Sequence, residues 1–187
     1  MKIKKLFAAI AACALLAVSL CALTACADNS KELITKSLEQ ELDSLKNPDE
    51  ATISSLSSQI PASTLSQLGL TSDELVKSLL EGFDGKIDSV EVNGKNAEAV
   101  VTISCKDFSQ LQSSIQEVTE TAMKDPSKFQ GMSTSDISTW MGQQIMAKIN
   151  ELPIVSHDPT TIDYVLNGNT WEPAAGAQAK LTSVLFG

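Results

Sequence analysis

The chain has 187 residues, with 23 acidic and 14 basic side chains, one histidine and a formal net charge of −9. Every cation is a lysine, so the chain lacks the side chain best shaped for bidentate phosphate recognition. Both facts argue against nucleic acid as a partner, because phosphate binding rests on clustered cations.

In chain order, the first feature is a leader. Met1 to Lys5 carries Lys2, Lys4 and Lys5, and Leu6 to Leu23 then carries no charge. A basic start, an apolar run and small residues behind it mark a secretory signal, and the run is near the lower limit for a membrane span. Its end, Leu23-Thr24-Ala25-Cys26, resembles the bacterial lipobox. The resemblance implies cleavage between Ala25 and Cys26 and a diacylglyceryl group on the Cys26 thiol. One acyl chain holds a protein only marginally, whereas two or three hold it stably. The expected organisation is a lipoprotein signal peptide over 1–25, a lipidated cysteine and tether over 26–29, and a single domain over 30–187.

Cleavage leaves 162 residues, enough for one domain with a core of its own. Eleven lysines then face 23 acids, a formal charge of −12. An anionic bilayer repels such a domain, so the lipid at Cys26 is the expected membrane partner. Cys13 and Cys21 leave with the signal. Cys105 is then alone, and no internal disulfide forms. It ends the alternation Ala99, Val101, Ile103, Cys105, which puts it on the inward face of a strand, where a thiol behaves as a small apolar group. A nucleophile needs a base, and His157 is the one histidine.

The periodicity next predicts helices. Asn29 with Glu32 marks a start, and Ile34, Leu38, Leu42 and Leu45 form the stripe behind it. Asn47-Pro48-Asp49-Glu50 reads as a cap followed by proline at the first helical position. Ile53, Leu56 and Ile60 face inward from that helix, and Pro61 ends it. A turn of helix is expected over Ser63–Leu68, closed by Gly69. Thr71-Ser72-Asp73-Glu74 is a capping box for a helix through Leu75 and Leu79, with Phe83 continuing the stripe and Gly82 as its stop.

After Gly85 the period becomes two. Lys86–Val92, the Asn93-Gly94 turn and Ala97–Cys105 predict a hairpin. Asp107 caps a helix with Gln110 in the matching position and the stripe Phe108, Leu111, Ile115, Val118, Ala122, and Asp125-Pro126 breaks it. A loop over Gly131–Ser135 leads to a helix with Ile137, Trp140, Met141, Ile145 and Ile149 inward. A second hairpin is expected from Ile154–Leu166, the turn Asn167-Gly168-Asn169 and Thr170-Trp171-Glu172, followed by a helix over about Ala174–Leu185.

Helices followed by "GFDGKIDSVEVNGKNAEAVVTISC", with a late "YVLNGNTWEP", resemble small lipoproteins of cystatin-like or NTF2-like build. The chain looks like a family of uncharacterised actinobacterial surface lipoproteins of this kind. The resemblance implies an α+β fold: N-terminal helices on a curved antiparallel sheet of about four strands, with two helices inserted between the two hairpins. It implies an extracytoplasmic, lipid-anchored location and brings no catalytic residue with it, since such folds host many functions.

A search for chemistry finds no Gly-rich phosphate loop, no His-Glu-x-x-His and no Cys-x-x-Cys. His157-Asp158 reads as an exposed loop pair. Asp84, Asp88 and Glu91 read as a solvated rim, short of the oxygen ligands that calcium takes. Trp140, Met141 and Met146, with Trp171 of the hairpin, are the candidate lining of an apolar pocket, although such a stripe also suits a core. No cofactor or metal is expected. The expected function is a non-catalytic module at the cell surface that binds a protein or an apolar small molecule. The alternative is an accessory component of an envelope assembly, with an enzyme the weakest of the three readings.

Overall fold

A computed structural model of the chain describes residues 29–60, 62–124 and 126–186. The leader, the Ala25–Cys26 junction and the tether as far as Asp28 lie outside the described residues, as do Pro61 and Asp125.

Helix α1 (Ser30–Lys46) follows its stripe. Ile34, Leu38, Leu42 and Leu45 are all buried. Asn29 stands at its N-cap without a side-chain capping bond. Asn47, expected to start the next helix, closes this one instead: its N–H donates to the Asp43 carbonyl and its side-chain amide to the Asp43 carboxylate. The cap of α2 (Glu50–Ser57) is Asp49, which accepts from the Thr52 N–H at 2.7 Å. That bond holds its carboxyl below the usual range. Two capping residues, Asn47 and Asp49, compete here on either side of Pro48, and Asp49 caps the helix.

Helix α3 (Ala62–Ser66) ends near Gly69, whose φ of +65° needs glycine. Helix α4 (Ser72–Leu80) opens with the capping box of Thr71 and Glu74, both bonds present. Gly82 then turns the chain at φ +75° into the sheet.

Strands β1 (Asp84–Asn93) and β2 (Asn96–Lys106) form an antiparallel hairpin turned at Gly94-Lys95. Its register breaks at Asp88, between the pairs Ile87↔Val101 and Ser89↔Val100. The extra residue at this bulge keeps Ile87 and Val90 on the inward face with Val101 and Ala99, their partners. On β2 the alternation is strict: Ala97, Ala99, Val101, Ile103 and Cys105 are at most 3% exposed.

Helix α5 (Leu111–Lys124) begins after a 3-10 turn over Phe108–Gln110, where Asp107 accepts from the Ser109 N–H at 3.0 Å. Of its expected stripe, Phe108 and Val118 are buried and Ile115 is half-buried. A second 3-10 turn, Pro126–Phe129, precedes the expected loop, which α6 shortens by starting at Thr134. Helix α6 (Thr134–Glu151) starts from a capping box of Ser133 and Asp136. Among the described residues, no helix is long and apolar enough to cross a membrane.

The expected single strand from Ile154 to Leu166 is two strands, β3 (Ile154–Ser156) and β4 (Thr160–Asn167). Both pair with the same edge of β2. β3 lies beside Ser104–Lys106, and β4 lies beside Asn96–Val101. Between them, His157-Asp158-Pro159 faces Thr102 and Ile103, three residues against two. The proline lacks the N–H that a continuous ladder requires. β5 (Thr170–Pro173) pairs with β4, giving an antiparallel five-stranded sheet of order β1-β2-β4-β5, with β3 on β2. Helix α7 (Ala177–Phe186) returns against β4.

The fold is thus α+β, with helices packed on an antiparallel sheet. The core lies between the inward sheet face and α1, α4 and α7. α6, which gives Ile149 to this core, is also held by a close approach at Gly142. A Cβ there would sit 2.0 Å from the Leu68 carbonyl oxygen. Gly142→Ala is therefore expected to destabilise by about 1–3 kcal/mol through overpacking, although alanine gains about 1 kcal/mol in helix propensity. Urea titration of the variant reads the balance, and an unchanged or raised midpoint would show that the α3–α4 connection yields freely.

Candidate functional site

The break between β3 and β4 brings together residues that are far apart in sequence. Cys105 on β2 pairs with Val155 on β3, and His157 follows two residues later. By the period of two it points to the same side as Val155. The His157 N–H donates to the Ile103 carbonyl at 2.8 Å, which fixes the backbone. Cys105 Sγ and His157 Nε2 end 3.4 Å apart. His157 is half-buried against the thiol rather than an exposed loop side chain.

Asp107 lies two residues beyond Cys105, and its charge is felt by both Cys105 and His157. Its carboxylate accepts from the Ser109 N–H and, at 3.4 Å, from the Gln110 side chain. These bonds, with a lesser attraction to His157, hold its carboxyl below the usual range. Cysteine, histidine and aspartate in this order suggest a nucleophile, a base and an orienting acid. The thiol's environment opposes that role. Cys105 is 3% exposed; burial, and then the Asp107 charge, push its pKa up to about 11. At neutral pH the group is a thiol, whereas the thiolate is the nucleophile.

Lys106, the next residue, passed unnoticed in the sequence. It is 1% exposed, a buried cation. Its ammonium donates to Glu81 Oε2 at 2.9 Å and to the carbonyls of Ile149 and Asn150 at 3.1 and 3.4 Å. Those carbonyls lie in the last turn of α6, where the helix dipole favours a positive charge. Lys106 therefore ties the end of α4, the end of β2 and the end of α6 together. With three acceptors it is a structural pin, since a buried charge is tolerated only when fully partnered.

The expected acidic rim is dispersed. Asp84 pairs with Lys46 at 2.9 Å, and Asp88 accepts from Lys86 and from the Thr102 hydroxyl. Glu91 instead lies opposite Glu98, and Glu98 opposite Asp163, so one rung of the outer face carries three carboxylates. Among the described residues no three His, Cys, Asp or Glu side chains are placed to hold a metal ion.

A groove of about 360 Å³ runs between α1 and β1. Leu42 and Ile87 give it an apolar floor, while Glu39, Asp43, Lys46 and Lys86 supply charges of both signs at its walls. Gly85 permits the close approach, since a Cβ there would meet Leu42 at 2.5 Å. The expected pocket residues lie elsewhere and line none of this groove. Trp140 packs edge-on against Phe129, their ring centroids 5.1 Å apart, and Met141 is half-buried on the same helix. Met146 leans on the core, and Trp171 is buried in it. The four pack as core and helix-contact residues.

No family model and no curated protein matches the chain. Among solved structures, the chain is similar to YcdA of Bacillus subtilis, whose crystal structure describes it as a candidate lipoprotein, at 13% identity and a TM-score of 0.46. The likeness covers 82% of this chain and 47% of YcdA, so the chain spans about half the length of that protein.

Proposed function

We propose that the chain is an exported lipoprotein, held to the outer side of the cell membrane by acyl groups on Cys26, and that its folded domain binds rather than catalyses. The anchor reading rests on Leu23-Thr24-Ala25-Cys26 after the uncharged run. Helix α1 begins only four residues beyond Cys26, so an acylated Cys26 would keep the domain within roughly 14 Å of the lipid. Cys26→Ala is expected to abolish fatty-acid labelling and to release the chain or stall it as precursor. Equal labelling and membrane retention would overturn the anchor.

The binding reading rests on the groove between α1 and β1. Its volume falls within the usual range for small-ligand sites, and it combines an apolar floor with a few convergent polar groups. The ligand it suits is small and carries charges of both signs, rather than the apolar one expected from Trp140. The protonated state of Cys105 supports a domain without a nucleophile. Helices packed on an antiparallel sheet also support the cystatin-like or NTF2-like likeness. Thermal melts of the protein against amino acids and short peptides test the groove. A ligand that raises the melting point of the parent, but not of a Lys46→Ala, Lys86→Ala double variant, supports it. Equal shifts in both would place binding elsewhere.

A further inference from the structure

We propose that Cys105 Sγ and His157 Nε2 together bind one monovalent thiophilic metal ion, of the Cu(I) and Ag(I) class. The pair is the one free cysteine among the described residues and the one histidine of the chain. The break in the second edge of β2 brings them to 3.4 Å across 52 residues of sequence. Thiolate and imidazole are the donors that soft ions select.

Charge and the number of ligands at hand point to a low coordination number. At the bond lengths of zinc sites, about 2.3 Å to sulfur and 2.0 Å to nitrogen, the 3.4 Å span subtends about 105° at an ion, so a linear site needs a longer span. A rotation of the His157 side chain about its fixed backbone that lengthens the span by about 1 Å opens the angle towards linear, and His157 is half-buried just beyond the end of β3. Zn(II) takes four ligands in a structural site. No third acid, histidine or cysteine among the described residues is placed to join the pair, and Asp107 is engaged by Ser109 and Gln110. A monovalent ion on a thiolate is neutral as a unit, whereas a divalent ion would leave a net charge in a buried place.

The binding step conserves atoms and charge. The S–H bond breaks, the proton leaves to solvent, sulfur and Nε2 bond to the ion, and the imidazole keeps its other proton on Nδ1. No electron is transferred. Because binding releases the thiol proton, the apparent affinity falls as the pH is lowered.

The test is silver uptake by the full chain in detergent, read by native mass spectrometry, with Cys105→Ser and His157→Gln beside the parent. The parent is expected to bind one more Ag(I) than Cys105→Ser. His157→Gln keeps the thiol and should lose at least tenfold in affinity, with one proton released per ion in the parent. Equal uptake by parent and Cys105→Ser overturns the proposal. So does parent-like affinity in His157→Gln, or stoichiometric Zn(II) uptake in a protein that refuses Ag(I). If Cys105→Ser fails to fold, the His157→Gln comparison decides alone. The outcome is separable from the anchor, because an unprocessed chain carries the thiols of Cys13, Cys21 and Cys26 in parent and variants alike.

Discussion

Trp171→Ala is expected to lower the unfolding free energy by about 3–5 kcal/mol, the range for truncating a buried tryptophan. The ring is 9% exposed on the four-residue edge strand β5, opposite Leu166 and beside Tyr164 in the core. So short a strand contributes few ladder bonds, and the ring provides much of what holds it. The indole N–H is buried without a partner among the described residues, so the side chain stabilises through packing alone. Trp171→Phe keeps most of the apolar contact and removes the unpaired N–H. It should therefore stay within about 1.5 kcal/mol of the parent. Urea unfolding followed by far-UV circular dichroism measures both. A loss below about 0.5 kcal/mol in the alanine variant, the scale of surface changes, would mean that the ring is exposed in solution.

The second large effect concerns pH. Glu41 on α1 is half-buried, and burial pushes its carboxyl up from 4.5 to about 7. Tyr164, buried on β4, is raised by burial and by the Glu41 charge. The inward residues of β1 and β2 around α1 carry no charge to compensate. A carboxyl raised in the folded state favours the fold while protonated. That contribution is fully present below pH 4.5 and is lost as pH rises to about 7. The shift corresponds to about 3 kcal/mol. The protein should therefore lose stability between pH 5 and 8, and Glu41→Gln should flatten this decline and be the more stable of the two at pH 8, by up to about 3 kcal/mol. Denaturant melts at four pH values provide the measurement. Parallel profiles for parent and variant would show that Glu41 is solvated.

Glu41 also shows where reading one dimension stops. It is seven residues from Ile34 and four from Leu45, inside the buried stripe, yet its type marks it for the surface. Burial depends on which neighbours cover a side chain, and Tyr164, which feels the Glu41 charge, lies over a hundred residues away. Local signals, by contrast, were legible. The Thr71–Glu74 capping box, the Asn-Gly turns and the strict alternation of β2 depend on residues within a few positions of each other, and each stands as expected. The Asn47–Asp49 competition and the break at Pro159 shifted boundaries, because two adjacent signals offered the chain different bonds.

The residues of the candidate sites followed the same division. Sequence alone determined that Cys105 faces inward, that the sheet is antiparallel with helices around it, and that Leu23 to Cys26 carries the pattern of a lipid anchor. Only the tertiary structure decided that His157 lies against Cys105, that Lys106 is a buried pin, and that a groove runs between α1 and β1. Each of these joins elements separated by 25 to 52 residues, as Lys106 with Glu81 and Cys105 with His157 do. Periodicity sets which face of an element is apolar. Which elements meet, and in what register, is decided by how those faces share one core.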